Sequence, residues 1–413
     1  MGSGAAALVN QPNAVATFVD KYSDAGVLIT SIPLPTTASG ANRPLTEAPN
    51  STSVGHLSLS TDGQYLVLGG YDADDGTAGV RQGTTGRVIG RVKISDGSVD
   101  TTTTLSDAYP GSTGNSSDMR SVVSTDGLNF WATGQSFPTT GGQAGVQYAT
   151  LGATTGTRLA ATPTNTRVAN IFDNQLYISS ASGSFVGISK VGTGVPIPTA
   201  DDQSTTTLFV GTAATGSGTA SPYDFWFKDA NTLYVADDRT TATGGGIQKW
   251  EFDGANWNNT YTLNTSLSSG VRGLDGRIVG GNVVLYASTS PSTTDGTANN
   301  AIVTVTDSGA SSAFSTLFNA PTNTVVRGVV YVAAAAGLAG DYNSDGKVDA
   351  ADYVLWRNDP GSFGGTPAGY NTWRANFGAP GPGLGSSAAV PEAGSVALVL
   401  LGLSLCGLKR RGR

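Results

Sequence analysis

The chain has 413 residues, of which only 13% are charged, with 57 glycines and a net charge of −7. No basic stripe is present to neutralise phosphates, which excludes nucleic acid as a partner; long helices are disfavoured too, because glycine costs about 1 kcal/mol per helical position and threonine is stiff at χ1. His56 is the only histidine and Cys406 the only cysteine, which excludes a multi-histidine zinc site and any disulfide within the chain.

Met1 to Leu8 has no basic start and no long apolar core, so no signal peptide is legible there, and the natural N-terminus is expected upstream. Residues 1–335 then read as a β-rich ectodomain. A hydrophobic content of 38%, gathered in strand-like clusters, separates it from disorder. His56 to Gly63 followed by Tyr65 to Gly69, and Ser121 to Gly127 followed by Asn129 to Gly134, are each strand, Asp-Gly turn, strand. Looser copies run Val168 to Ser179 around Asp173-Asn174, Tyr223 to Ala236 around Asp229-Ala230-Asn231, and Val271 to Ser288 around Gly280-Gly281-Asn282. Second hairpins are expected at Val88 to Ile94, Gly145 to Leu151 and Gly246 to Phe252. The turns recur at intervals of 64, 47, 57 and 51 residues, the spacing of four-stranded propeller blades.

The ends of this region look like halves of one further blade. Val325 to Val332 reads as one or two inner strands, and Ala14 to Asp20 with Gly26 to Pro33 as an outer hairpin; joining them would close the ring and hide two sheet edges. A mainly β fold follows, a β-propeller of six blades, with seven blades or a β-sandwich or solenoid as alternatives.

Catalytic groups are sparse. Ser124 to Trp131 is similar to the sialidase Asp-box with its glycine one place early, and reads as a blade hairpin. The acidic loops Tyr71 to Gly76 and Asp237-Asp238-Arg239 could supply a glycosidase-type carboxylate pair, although exposed turns need Asp and Asn in any case. His56 starts a blade strand and reads as structural. Trp226, Trp250 and Trp257 could stack on sugars or fill blade cores. No catalytic residue is assigned, and the ectodomain reads as a binding propeller for a glycan or surface protein; a polysaccharide hydrolase or lyase is the alternative.

Residues 336–378 carry the clearest chemistry. Asp341, Asn343 and Asp345 place oxygens at positions 1, 3 and 5 of a loop, and Gly346 permits the sharp turn. The Lys347 carbonyl, Asp349 and Asp352 fill positions 7, 9 and 12; this is the donor pattern of a Ca2+ loop. Val348 is expected to anchor it to a small core. With Asp at position 12, the loop resembles that of type I dockerins, EF-hand-like calcium modules that attach proteins to cohesins. Tyr353-Val354-Leu355-Trp356-Arg357 recurs as Tyr370-Asn371-Thr372-Trp373-Arg374, and Tyr and Trp three apart share a helix face, so two short helices should bury their aromatics against each other. Ser362 to Ala368 lacks the carboxylates of a second loop, and the segment reads as a calcium-locked spacer rather than a cohesin ligand.

Residues 379–389 form a Pro/Gly/Ser-rich linker. The tail 390–413 is tripartite: Val390-Pro391-Glu392-Ala393, the apolar run Val396 to Leu408, then Lys409, Arg410, Arg411 and Arg413. As a helix the run spans about 20 Å, short of a bilayer core of about 30 Å, and the cations would hold its end on the cytoplasmic side. This order resembles the PEP-CTERM sorting signal of bacterial surface proteins. The resemblance implies an exosortase-type processing enzyme as partner, transient inner-membrane contact, and delivery to the cell surface or extracellular matrix.

Overall fold

Ser60-Thr61-Asp62-Gly63 and Ser124-Thr125-Asp126-Gly127 fold into the same kind of turn. In the second, Asp126 Oδ1 accepts the amides of Leu128 and Asn129 at 2.8 and 2.9 Å, and Gly127 takes φ +70°, a conformation that side chains disfavour. The first is built alike, with Asp62 Oδ1 accepting Gln64 N at 3.1 Å and Gly63 at φ +74°. The computed structural model describes residues 13–112, 115–136, 144–193, 197–201, 203–210, 219–290, 300–333, 339–343 and 347–378, and divides into two units, 1–332 and 333–413.

The first unit is mainly β and has the arrangement of a propeller. Its chain begins with β1 (Val15–Ala16), β2 (Phe18–Tyr22), β3 (Leu28–Pro33) and β4 (Thr46–Glu47). Blade 1 follows as β5 (Leu57–Leu59), β6 (Tyr65–Tyr71), β7 (Arg87–Lys93) and β8 (Val99–Leu105), with β4 and β1 continuing the edge of β6. Blade 2 is β9 (Asp118–Ser124), β10 (Asn129–Gln135), β11 (Val146–Thr150) and β12 (Thr157–Ala160); blade 3 is β13 (Ala169–Phe172), β14 (Gln175–Ser180), β15 (Gly187–Val191) and β16 (Thr205–Val210). Blade 4 is β17 (Pro222–Asp229), β18 (Thr232–Asp237), β19 (Gly246–Phe252) and β20 (Trp257–Leu263); blade 5 is β21 (Val271–Val279), β22 (Asn282–Thr289), β23 (Ala301–Asp307) and β24 (Ser315–Asn319). All neighbours within a blade are antiparallel. Five blades are therefore seen among the described residues. The five inner hairpins lie where the sequence puts them, but the expected second hairpins do not. Val88 to Ile94, Gly145 to Leu151 and Gly246 to Phe252 are each essentially one strand (β7, β11 and β19), paired with the strand that follows.

The core lies between blades. Successive strand residues face opposite sides of a sheet, so Val122 packs toward Val67 and Ile89 of blade 1 while Val123 packs toward Leu176 and Ile178 of blade 3. Phe225 and Trp250 meet Tyr177 and Ile188 of blade 3, and Tyr223 and Tyr234 meet Leu274 and Leu285 of blade 5. With both faces covered, β9, β14 and β18 are buried along their whole length.

The seam between blades 5 and 1 holds both ends of the unit. Val19 of β2 packs with Leu45 and Leu68 on the blade 1 side, while the Tyr22 ring stacks on Phe318 of β24 at 3.8 Å and Asp24 pairs with Arg277 at 3.0 Å. Residues 325–331 lie inside this hairpin, with a cavity of about 200 Å3 between the two. The strands expected over Val325 to Val332 are not formed. Their backbone groups are satisfied by other means: Asn300 bonds both Val326 N and Val326 O, Ser288 Oγ donates to Arg327 O, Gly328 N donates to Gly55 O at 2.9 Å, and Tyr331 N donates to Asp275. Side-chain bonds and one backbone bond to Gly55 thus take the place of a ladder along this segment.

In the second unit, α1 (Ala350–Asn358) and α2 (Ala368–Asn376) pair through Tyr353, Trp356, Tyr370 and Trp373, with Tyr353–Trp373 and Trp356–Tyr370 centroids 4.9 and 5.4 Å apart. Val348 is 1% exposed, as an anchor should be. No helix among the described residues is long and apolar enough to cross a membrane; the linker and the apolar run of the tail lie outside the described residues.

Candidate functional site

Six segments surround the axis of the first unit. Leu57 to Leu59 of β5, Val123 and Ser124 of β9, Ala169 to Ile171 at β13, Asp224 and Trp226 of β17, Leu274 to Gly276 of β21, and Val329 to Tyr331 line a central cavity of about 290 Å3.

Two acids in this wall came unannounced by the sequence. Asp224 Oδ1 accepts its neighbour Phe225 N and Oδ2 accepts Leu274 N of the next blade, both at 2.9 Å. Asp275 repeats the pattern one step around: Oδ1 accepts Gly276 N at 2.8 Å and Oδ2 accepts Tyr331 N at 2.6 Å. Asn170 and Ser121 make the corresponding links from blades 3 and 2, to Phe225 O at 2.9 Å and from Ala169 N at 3.2 Å. Polar side chains on the inner strands thus stitch each blade to the next. Burial pushes the Asp275 carboxyl up to about 7 despite its amide donors, and nearby Asp224 adds to the rise. His56 is 4% exposed just before β5, with Nδ1 3.7 Å from Asp224 Oδ2. That is too long for a hydrogen bond.

Where the inner strands begin, arginines replace acids. Arg81 grips Asp118 through two bonds of 2.9 and 3.0 Å. Arg120 reaches Thr166 O at 3.0 Å, Arg167 reaches Ser221 Oγ at 2.9 Å, and Arg327 reaches Thr52 O and Pro49 O at 3.2 Å each. Each clamps the chain entering a neighbouring blade. Arg272 pairs with Asp238 at 3.1 Å. Tyr223 lies among them, with Arg167 and Arg272 at 4.0 and 5.3 Å from its ring centroid. Burial alone would raise the Tyr223 phenol, but these two cations hold it below its usual range. Burial lowers Arg327 to about 10, helped by Arg272. Glu47 is fully buried with neither oxygen in hydrogen-bond geometry, and burial lifts its carboxyl well above the usual range.

The acidic loops named from sequence are committed elsewhere. Asp72 pairs with Arg43 at 3.0 Å; Asp237 is fully buried and accepts from Arg239, Gln248 and Ser221; Asp238 serves Arg272 and, at 3.9 Å, Arg167. Trp250 is fully buried in the core and Trp226 lines the central cavity.

In the second unit, Asp349 caps α1 by accepting Ala351 N at 2.8 Å. Asp352, in the first turn and fully buried, accepts Tyr342 N and Asn343 N on Oδ1 at 2.7 and 3.0 Å, and Asp349 N on Oδ2 at 2.8 Å. It therefore draws both arms of the predicted loop, 341–343 and 347–349, onto the helix. Asp341 is buried, Asn343 and Lys347 are exposed, and Asp345 lies outside the described residues. Among the described residues, no group of three or more His, Cys, Asp or Glu could hold a metal ion.

No family model and no curated protein matches the chain. Among solved structures, a protein named as a 6-phosphogluconolactonase from Bacteroides uniformis is 14% identical over 76% of this chain and 84% of its own, with a TM-score of 0.39. One named as a glucose dehydrogenase from Thermus thermophilus is 11% identical over 69% and 93%, also at 0.39. An ancestral GH74 enzyme is 16% identical over 80% and 40%, at 0.35. Likeness at this level carries nothing about activity.

Proposed function

We propose that this chain is an exported cell-surface or extracellular-matrix protein whose propeller, with six positions around its axis, binds a glycan or a surface protein without transforming it. One observation favours binding over catalysis: both oxygens of Asp224 and both of Asp275 accept backbone amides, so the acids of the central cavity are engaged in holding blades together. The cavity, at about 290 Å3, also lies at the lower edge of small-molecule sites, too small to take a polymer.

Export and sorting rest on the tripartite tail. An exosortase-type enzyme would act on it after transient contact with the inner membrane. A structural Ca2+ is assigned to Asp341, Asn343, Asp345, the Lys347 carbonyl, Asp349 and Asp352. What supports it is the burial of both Asp341 and Asp352 in a small unit, where a bound hard cation would offset charge that is costly to bury. A carboxylate offers about four lone-pair sites. Asp352 gives three to described amides, and Asp349 accepts the amides of Ala351 and Asp352, so each carboxylate retains lone-pair capacity for an ion. The ion would fasten the loop to α1.

A second reading, an extracellular polysaccharide hydrolase or lyase, is favoured by one feature: burial lifts the Asp275 carboxyl to about 7 beside another acid, the direction a general acid requires. A glycan-array screen of the full chain, followed by turnover assays on each hit, separates the two. Binding without turnover supports the first reading. Turnover that is lost in Asp275→Asn while binding persists establishes the second.

A further inference from the structure

Among the described residues, three buried nitrogens without a hydrogen-bond partner belong to residues around one small cavity. They are His56 Nδ1, Arg272 Nη1 and Arg327 Nε. The cavity is bounded by His56, Arg272 and Arg327, the hydroxyl residues Thr52, Ser288 and Thr289, and the apolar Val54 and Val326; its volume is about 10 Å3. That is room for one water-sized occupant. It lies where the seam segment meets the entrances of blades 1 and 5, so its lining joins the ring's two ends.

The polarity of the lining selects the occupant. A guanidinium only donates, so the two arginines present N–H groups and no acceptor. Of the hydroxyls, Ser288 Oγ is engaged by Gly273 N and Arg327 O, and Thr289 Oγ1 accepts Ala301 N at 2.9 Å. A water molecule needs acceptors for its two hydrogens, whereas the two orphaned guanidinium nitrogens can only donate. An occupant that only accepts fits better. The charges point the same way: Arg272 shares Asp238 with Arg167, Arg327 bonds the neutral carbonyls of Thr52 and Pro49, and the acid facing His56, Asp224 at 3.7 Å from Nδ1, favours a proton on that nitrogen.

We infer that this cavity is a binding site for a monatomic halide, chloride-sized, held by Arg272 and Arg327 with His56 as third donor when Nδ1 carries its proton. The ion satisfies the orphaned donors and ties blade 5 and the seam to the entry of blade 1. It acts as a ring-closing counterion that is independent of any ligand on the propeller surface.

Crystals of the full chain grown or exchanged in bromide provide the direct test. An anomalous difference peak between Arg272, Arg327 and His56 is expected; electron density there without anomalous signal means water and overturns the assignment. In solution, the melting temperature of the first unit should rise saturably with chloride at ionic strength held constant with gluconate. Arg272→Gln should abolish that rise and Arg272→Lys should retain part of it. A full chloride response in folded Arg272→Gln overturns the inference. If that variant fails to fold, the bromide map on the wild-type chain decides alone.

Discussion

The Tyr223 hydroxyl of blade 4 lies 2.8 Å from Ser53 Oγ, in the segment entering blade 1. The ring thus carries a bond across its axis as well as around its circumference. Tyr223→Phe removes that bond and the longer one to Thr52 O at 3.3 Å, keeps the ring, and should cost about 1 kcal/mol. Tyr223→Leu also removes the face on which Arg167 and Arg272 rest and should cost about 3 kcal/mol. Urea unfolding of the two variants checks the order; equal losses would count against the cation–π contribution.

Asp275 gives the fold a pH dependence of defined sign. Its carboxyl sits at about 7 in the folded state and near 4 when unfolded. Between those values the unfolded chain releases the proton while the folded one keeps it, so stability falls as pH rises from about 4 to about 7, by up to about 4 kcal/mol. Asp275→Asn should flatten that part of the profile. Denaturant melts at half-unit pH steps provide the comparison, and identical slopes in both proteins would reject the linkage.

Gly26 makes the seam hairpin sensitive to a single methyl group. It has φ +76°, and a Cβ there would lie 2.3 Å from Leu317 O. Gly26→Ala should lift β2 and β3 off blade 5, at a cost above the roughly 1–2 kcal/mol of the left-handed backbone, and expose residues 18–33 to protease. Gly40→Ala, also at positive φ but facing open space, is the control and should leave the hairpin protected.

Removal of calcium should act on the second unit only. Chelation is expected to open residues 341–378 to proteolysis while the cleavage pattern of residues 13–332 stays constant. Asp352→Asn should give the same pattern without chelator, since its carboxylate holds three backbone amides as well as the proposed ion. A protease map unchanged by chelator would remove the calcium assignment.

The inner hairpins were legible because their turns are written in residue types: Ser-Thr-Asp-Gly at 60–63 and 124–127, and Asp173-Asn174 at φ 49° and 55°. The outer strands were harder to read. Val88 to Ile94, read as a hairpin, is the single strand β7, and its Gly90 leaves room for packing, since a Cβ there would meet Leu45 Cδ1 at 2.6 Å; a glycine kept for packing is indistinguishable in sequence from one kept for bending. Val325 to Val332 looked like strand because its residues favour one, but Asn300, Ser288 and Asp275 take up its backbone groups. The arginine set left a trace that could have been followed, since Val-Arg-Gly stands at both 271–273 and 326–328, and Arg120 and Arg167 precede inner-strand residues in the same manner. Blade 4 interrupts the series with Tyr223. Glu47 gave no signal at all: a lone acid in a two-residue strand reads as surface.

The clasp of Asp24 with Arg277 joins positions 253 apart in sequence. A nascent chain that has emerged only through blade 4 has one bare flank on each terminal sheet and nothing to latch its leading hairpin against. Closure is therefore expected to come last in assembly. A chain truncated or stalled short of residue 331 should remain an open arc, prone to pair its uncovered flanks with those of another copy.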